Sequence, residues 1–197
     1  MNTDLIFTST FLSNQISLGS LSVIPTDTLP AFAISPENAH KIWEVKARPC
    51  EKPLILMGAR PQELFQEVLP SALEDAWLIS KRYWPGALTM VLPASGKIVK
   101  ALNKKEESIG LRVPACGETL ELLDLTGPLA TTSVNFSGAN PLRTPEEIIQ
   151  SFPEIPLLGP TPWPNNSGKA STVISWVGKG KWRLLRRGAL IPDITIE

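Results

Sequence analysis

Short apolar runs alternate along the chain with stretches whose apolar residues recur three and four positions apart, the two periodicities that separate strands from amphipathic helices. Ser20-Leu21-Ser22-Val23-Ile24, Leu54-Ile55-Leu56-Met57, Leu88-Thr89-Met90-Val91-Leu92, Ile109-Gly110-Leu111-Arg112-Val113 and Leu129-Ala130-Thr131-Thr132 predict strands, each bounded by proline or glycine. Ser171-Thr172-Val173-Ile174 and Trp182-Arg183-Leu184-Leu185 predict a closing hairpin over Gly178-Lys179-Gly180, glycines being suited to the positive φ of a tight turn. Helices announce themselves by their starts. Ser35-Pro36-Glu37 offers an N-cap, a first-turn proline and an acid ahead of Ala39, Ile42 and Trp43. Thr144-Pro145-Glu146-Glu147 has the spacing of a capping box. Further helical patterns run from Pro61 to Leu69, from Ser71 to Tyr83 and from Gly117 to Leu125. Strands interleaved with helices predict an α/β fold, a mixed sheet flanked by helices, in a single domain over 1–197.

Composition narrows the class. The 197 residues carry 19 basic and 19 acidic side chains, so any attraction for an anion must come from local clustering. Cys50 and Cys116 lack any CxxC or Cys/His spacing, which points to a reducing, cytoplasmic setting without a disulfide framework or a metal site. The N-terminal Leu5-Ile6-Phe7 has no basic run before it and polar residues after it, unlike a signal peptide, and no apolar run reaches the ~18 residues of a membrane span. Residues 159–169, Gly-Pro-Thr-Pro-Trp-Pro-Asn-Asn-Ser-Gly-Lys, predict a long loop of the kind used as a lid.

Cations and compact polar residues mark the candidate chemistry. Lys46, Arg48 and Lys52 fall within seven residues after a helix, and Pro49 and Pro53 favour an extended path that would put all three on one side. Arginine forks onto phosphate oxygens and lysine acts as a point charge, although a solvated basic loop at a helix C-terminus has the same composition. Ser133-Val134-Asn135 leaves a strand end, where open α/β sheets bind ligands; the pair suits a phosphate, a ribose edge or a self-contained turn. Pro25-Thr26-Asp27-Thr28 sits likewise, with Asp27 placed to orient an amine or to cap a turn. Arg112 lies in an apolar run and needs an anionic partner, either an internal aspartate or a substrate carboxylate. His40, the only histidine, has no G-x-S-x-G context, and neither G-x-x-x-x-G-K-[ST] nor G-x-G-x-x-G occurs, which excludes the usual hydrolase, P-loop and Rossmann sites.

These segments, in order, resemble the YrdC/Sua5/TsaC family: Pro25-Thr26-Asp27-Thr28; Lys46-x-Arg48-Pro49 with Lys52-Pro53-Leu54; Trp84-Pro85-Gly86-Ala87-Leu88-Thr89; Gly110-Leu111-Arg112-Val113-Pro114; Gly127-Pro128-Leu129-Ala130 running into Ser133-x-Asn135-x-Ser137-Gly138; Ser171-Thr172-Val173; and Arg186-x-Gly188. The resemblance is to the short form with this domain only. It implies a twisted α/β fold with a concave, positively lined cavity, and the synthesis of threonylcarbamoyl-AMP and pyrophosphate from L-threonine, bicarbonate and ATP for the t6A modification of tRNA. Residue by residue it places Lys46, Arg48, Ser133 and Asn135 around ATP as the catalytic set, with Lys52, Ser108 and Arg186 on the nucleotide. Thr28, Arg112 and Ser171, with Thr26 and Thr172 beside them, would hold threonine. Mg2+ would travel with the ATP, held by phosphates and water rather than by protein ligands. Binding of tRNA or double-stranded RNA and a handover to transferase proteins complete the implied partners, and no membrane is involved. The chain departs from the family where Leu29-Pro30-Ala31-Phe32 replaces the usual Val-Tyr-Gly-Leu, which would reshape the amino-acid pocket. A YciO-like relative that binds nucleotide or RNA with little synthase activity is the alternative.

Overall fold

The computed structural model describes residues 5–103, 105 and 107–196; Met1 to Asp4 and Glu197, the ends of the predicted domain, lie outside the described residues. In chain order its strands are β1 (Ile6–Phe7), β2 (Ser22–Ile24), β3 (Ala31–Ile34), β4 (Ile55–Met57), β5 (Leu88–Pro93), β6 (Ser108–Arg112), β7 (Leu129–Ser133), β8 (Leu157–Leu158), β9 (Thr172–Gly178) and β10 (Lys181–Arg186). They join one mixed sheet in the order β1-β8-β2-β3-β7-β4-β6-β5-β9-β10. The helices are α1 (Ser9–Ser17), α2 (His40–Val45), α3 (Pro61–Leu64), α4 (Pro70–Tyr83), α5 (Lys97–Leu102), α6 (Gly117–Thr126) and α7 (Pro145–Ser151).

Register decides which face each side chain takes. Leu56, Leu111, Met90 and Ile174 align across β4, β6, β5 and β9, and all are buried in one core with Ala72, Ala76 and Ile79 of α4. The intervening row, Ile55, Gly110, Val91 and Ser175, faces the other way. On that second face α1 and α6 pack Leu12, Ile16, Leu122 and Leu123 against Ile24, Ala33, Met57, Leu129 and Leu158. Gly110 belongs to that row because a Cβ there would stand 2.8 Å from Cγ2 of Ile55.

All seven predicted strands form, as does the hairpin, whose turn uses Gly180 at φ +70°. The capping box of α7 is present, with the Glu147 N–H donating to Thr144 Oγ1 at 3.3 Å. Three strands and two helices were not legible. β3 is buried at every position and so shows no alternation, β1 and β8 hold two residues each, α5 is a six-residue helix, and α1 carries only Leu12 and Ile16 as buried apolar positions in a polar segment. The helix expected from Ser35 is corrected. Ser35 Oγ accepts from Asn38 Nδ2 at 2.9 Å instead of capping, residues Pro36–Asn38 form one 3-10 turn, and α2 begins only at His40, which is exposed.

Candidate active site

The segment after α2 does not run extended, and the expected shared face of Lys46, Arg48 and Lys52 is corrected. Lys46 keeps a helical backbone at the end of α2, Ala47 then turns into the left-handed region at φ 46°, and the Arg48 N–H returns to Trp43 O at 2.9 Å. A positive φ at a residue with a Cβ is unfavourable, and here it swings consecutive side chains apart. Lys46 enters the protein, 0% exposed, with its Nζ donating to Ser133 O at 2.5 Å, Asn135 O at 2.7 Å and Asn135 Oδ1 at 2.8 Å. Burial, and secondarily Arg48, brings its pKa down to about 7. Lys52 is exposed and contributes a backbone carbonyl to Trp43 Nε1.

Arg48 takes the other direction. One Nη donates to Pro53 O at 3.1 Å, while its buried Nε has no partner among the described residues. Burial holds this guanidinium below its ordinary pKa.

The turn Pro25-Thr26-Asp27-Thr28 is built around Thr26, whose Oγ1 accepts from the N–H groups of Thr28 and Leu29 and donates to Leu29 O. Thr26 therefore serves the turn itself. Arg112, 3% exposed, resolves the open question of its partner in favour of the internal carboxylate: Nη2 meets Asp27 Oδ1 at 2.6 Å, Nη1 donates to Thr28 Oγ1 at 2.8 Å and Nε to Gly86 O at 3.0 Å. Asp27 also accepts from the Ala115 N–H, and its carbonyl accepts from the Ser167 N–H, which ties the 159–169 loop to this turn. Burial lowers the pKa of Arg112 more than Asp27 raises it, and the nearby Arg186 adds to the lowering.

Arg186 closes the arrangement from β10. Its Nε donates to Ser171 O at 3.0 Å and Nη2 to Ser171 Oγ at 3.1 Å, while Ser171 Oγ lies 2.8 Å from Thr89 Oγ1. Thr172 turns away and bonds Leu190 O and the Gly188 N–H. Gly188 packs so closely that a Cβ would sit 2.2 Å from Ala170 O.

Residues of these elements line a cavity of about 260 Å³. Thr28, Arg48, Arg112, Ser133, Ser171 and Arg186 line it, whereas Thr26, Lys46, Lys52, Ser108, Asn135 and Thr172 do not. Ser108, at the far end of β6, is engaged by Asn103 Nδ2. Ala31, Ile55 and Thr131 also line the cavity; the departure at Leu29-Pro30-Ala31-Phe32 pointed to a reshaped pocket, and the pairing of Ala31 with Ser133 on β3, a strand not read from the sequence, places Ala31 there. Three arginines line this space and, among the described residues, no aspartate or glutamate does. Each guanidinium is held below its ordinary pKa chiefly by desolvation. Arg112 already has Asp27 as its anion; a ligand anion would relieve that cost for Arg48 and Arg186, so the chemistry favoured here is recognition of phosphate or carboxylate. Among the described residues no cluster of His, Cys, Asp and Glu could hold a metal ion.

A family model for the Sua5/YciO/YrdC domain, described as telomere recombination, matches residues 14–188. A threonylcarbamoyl-AMP synthase of Pyrococcus abyssi is 34% identical over 139 residues, covering 68% of this chain and 40% of that protein. One from Vibrio parahaemolyticus is 32% identical, covering 71% of this chain and 78% of that one. The chain thus spans less than half of the Pyrococcus relative. The solved structure of P. abyssi Sua5 complexed with L-threonine has a TM-score of 0.84 at 28% identity, covering 96% of this chain and 58% of that one. E. coli YciO shares the fold with a TM-score of 0.75 at 23% identity, covering 92% of this chain and 90% of that one. On the family match and these relatives, the chain belongs to the Sua5/YciO/YrdC family.

Proposed function

We propose that the protein is an L-threonylcarbamoyladenylate synthase, joining L-threonine, bicarbonate and ATP into threonylcarbamoyl-AMP for tRNA modification. The observation that carries the reading is the cavity in which Arg48, Arg112 and Arg186 converge without a lining carboxylate. In the reaction a carbamate oxygen of the carboxylated amino acid bonds to the α-phosphorus of ATP. The bond from that phosphorus to the bridging oxygen breaks, and its electron pair leaves with pyrophosphate. Charge builds on the phosphates, where fixed guanidinium groups stabilise it, and no side-chain nucleophile is required. Arg48 and Arg186 are assigned to the polyphosphate. The hydroxyls of Thr28 and Ser171, with the Asp27-bound Arg112 between them, are assigned to the amino acid. Mg2+ would arrive as part of the nucleotide substrate, held by phosphates and water, since among the described residues no carboxylate lines the cavity. The lining position of Ala31 narrows the space that a glycine would leave, so the preference between threonine and serine is part of the question.

The test is pyrophosphate release by the purified protein with ATP and bicarbonate, comparing L-threonine, L-serine and no amino acid, with mass analysis of the adenylate. Threonine-dependent release and a threonylcarbamoyl-AMP mass are expected. A folded, ATP-binding protein that releases nothing would replace this reading with a YciO-like one.

A further inference from the structure

The hydrogen bonds around Asn135 fix a polarity that the cavity wall inherits. Its Oδ1 accepts from Lys46 Nζ at 2.8 Å and from Ser133 Oγ at 2.8 Å, and its Nδ2 donates to Phe136 O at 2.8 Å and Ala139 O at 2.9 Å. A flipped amide would set an NH2 against the lysine and an oxygen against two carbonyls, so the network assigns the orientation by itself. All of the carboxamide's capacity is used, and in the protonated lysine all three Nζ donors are spent on Ser133 O, Asn135 O and Asn135 Oδ1. Neither residue has a donor left for a ligand. The Ser133 hydroxyl proton points at Asn135, so toward the cavity that Ser133 lines its Oγ offers lone pairs only.

We infer that Ser133 is a hydrogen-bond acceptor that selects for an N–H or O–H donor on the bound ligand, with Lys46 and Asn135 as the positioning residues that hold it in that role. A phosphate oxygen, itself an acceptor, is repelled at this spot unless the hydroxyl abandons Asn135. The donor it reads is an uncharged group, a ribose hydroxyl or the hydroxyl of the amino acid. The choice of probes rests on the synthase reading above.

Calorimetric titration of the full chain and of Ser133→Ala with inorganic pyrophosphate, ATP and L-threonine separates the cases. Pyrophosphate affinity is expected to stay within about two-fold, while affinity for ATP or for L-threonine falls by roughly ten-fold, the scale of one hydrogen bond; the probe that falls names the source of the donor. A loss on pyrophosphate as large as on ATP overturns the inference, as does an unchanged value for all three. If the wild type binds pyrophosphate alone, the synthase reading falls and the pyrophosphate arm decides for Ser133, upholding it if unchanged and overturning it if weakened. Binding of none of the three overturns both. Asn135→Leu frees the Ser133 hydroxyl, and the ratio of pyrophosphate to donor-probe affinity should rise by about ten-fold. An equal loss on every probe in Asn135→Leu would make that residue a structural one and overturn the positioning role.

Discussion

At the scale of single residues, neighbours in sequence divide between two tasks, because Ala47 sends Lys46 inward and leaves Arg48 at the cavity. Arg48→Met keeps an apolar stem and removes the charge, and is expected to weaken ATP binding by at least ten-fold without changing the melting temperature appreciably. Calorimetry beside thermal denaturation checks it. Lys46→Met should behave differently. The folded chain lowers the Lys46 pKa from 10.5 to about 7, so between those values the unfolded chain holds a proton that the folded chain has released. The lysine's contribution to stability therefore rises as pH is raised through that window. Denaturant midpoints at pH 6.5 and 9 should show wild type gaining on Lys46→Met at the higher pH; parallel curves would refute this. The family resemblance grouped Lys46, Arg48, Ser133 and Asn135; the structure joins Lys46 to Ser133 and Asn135 and puts Arg48 and Ser133 on the cavity. The sequence could not show that Lys46 is enclosed, since that follows from one backbone angle at an alanine. Arg112 is the opposite case, for a guanidinium in an apolar run demands an anion and Asp27 was already at a predicted strand end.

At the scale of elements, legibility followed length and boundary chemistry. α4 and α7 carry proline starts and regular apolar spacing and were readable, whereas β3 is four apolar residues with two alanines and has neither alternation nor a strong strand former at every position. Without that strand the sequence pointed to Ala31 only as a departure in the pocket, not as the strand neighbour of Ser133. Two substitutions test which element contacts matter to the site. Thr144→Ala removes the α7 capping box and should cost about 1 kcal/mol of stability, with ATP affinity unaffected. Gly188→Ala should do the reverse. Its Cβ would press on the Ala170–Ser171 backbone that Arg186 holds, so ligand affinity should fall more than ten-fold even where the protein remains folded. Circular dichroism and titration on the two variants give the comparison, and an unimpaired Gly188→Ala would show that the 170–171 segment can shift freely.

At the scale of the whole molecule, formal charge cancels while three guanidinium groups share one cavity. Raising salt from 50 to 500 mM should weaken pyrophosphate several-fold, since partly exposed groups such as Arg186 are screened within a Debye length of roughly 10 Å at 0.1 M. A salt-independent affinity would mean that the cations act only through enclosed contacts. The mixed sheet and its hairpin were readable from the alternation of elements; the strand order was not, because pairings such as β1 with β8 and β3 with β7 join residues far apart in the chain. That order has a kinetic side. The cavity needs Thr28, Arg48, Arg112, Ser133 and Arg186 at once, so a chain still being synthesised has no finished site until β10 has emerged and paired with β9. Non-local pairing of this kind slows folding, and a ligand can only lock the completed sheet, never template its early strands.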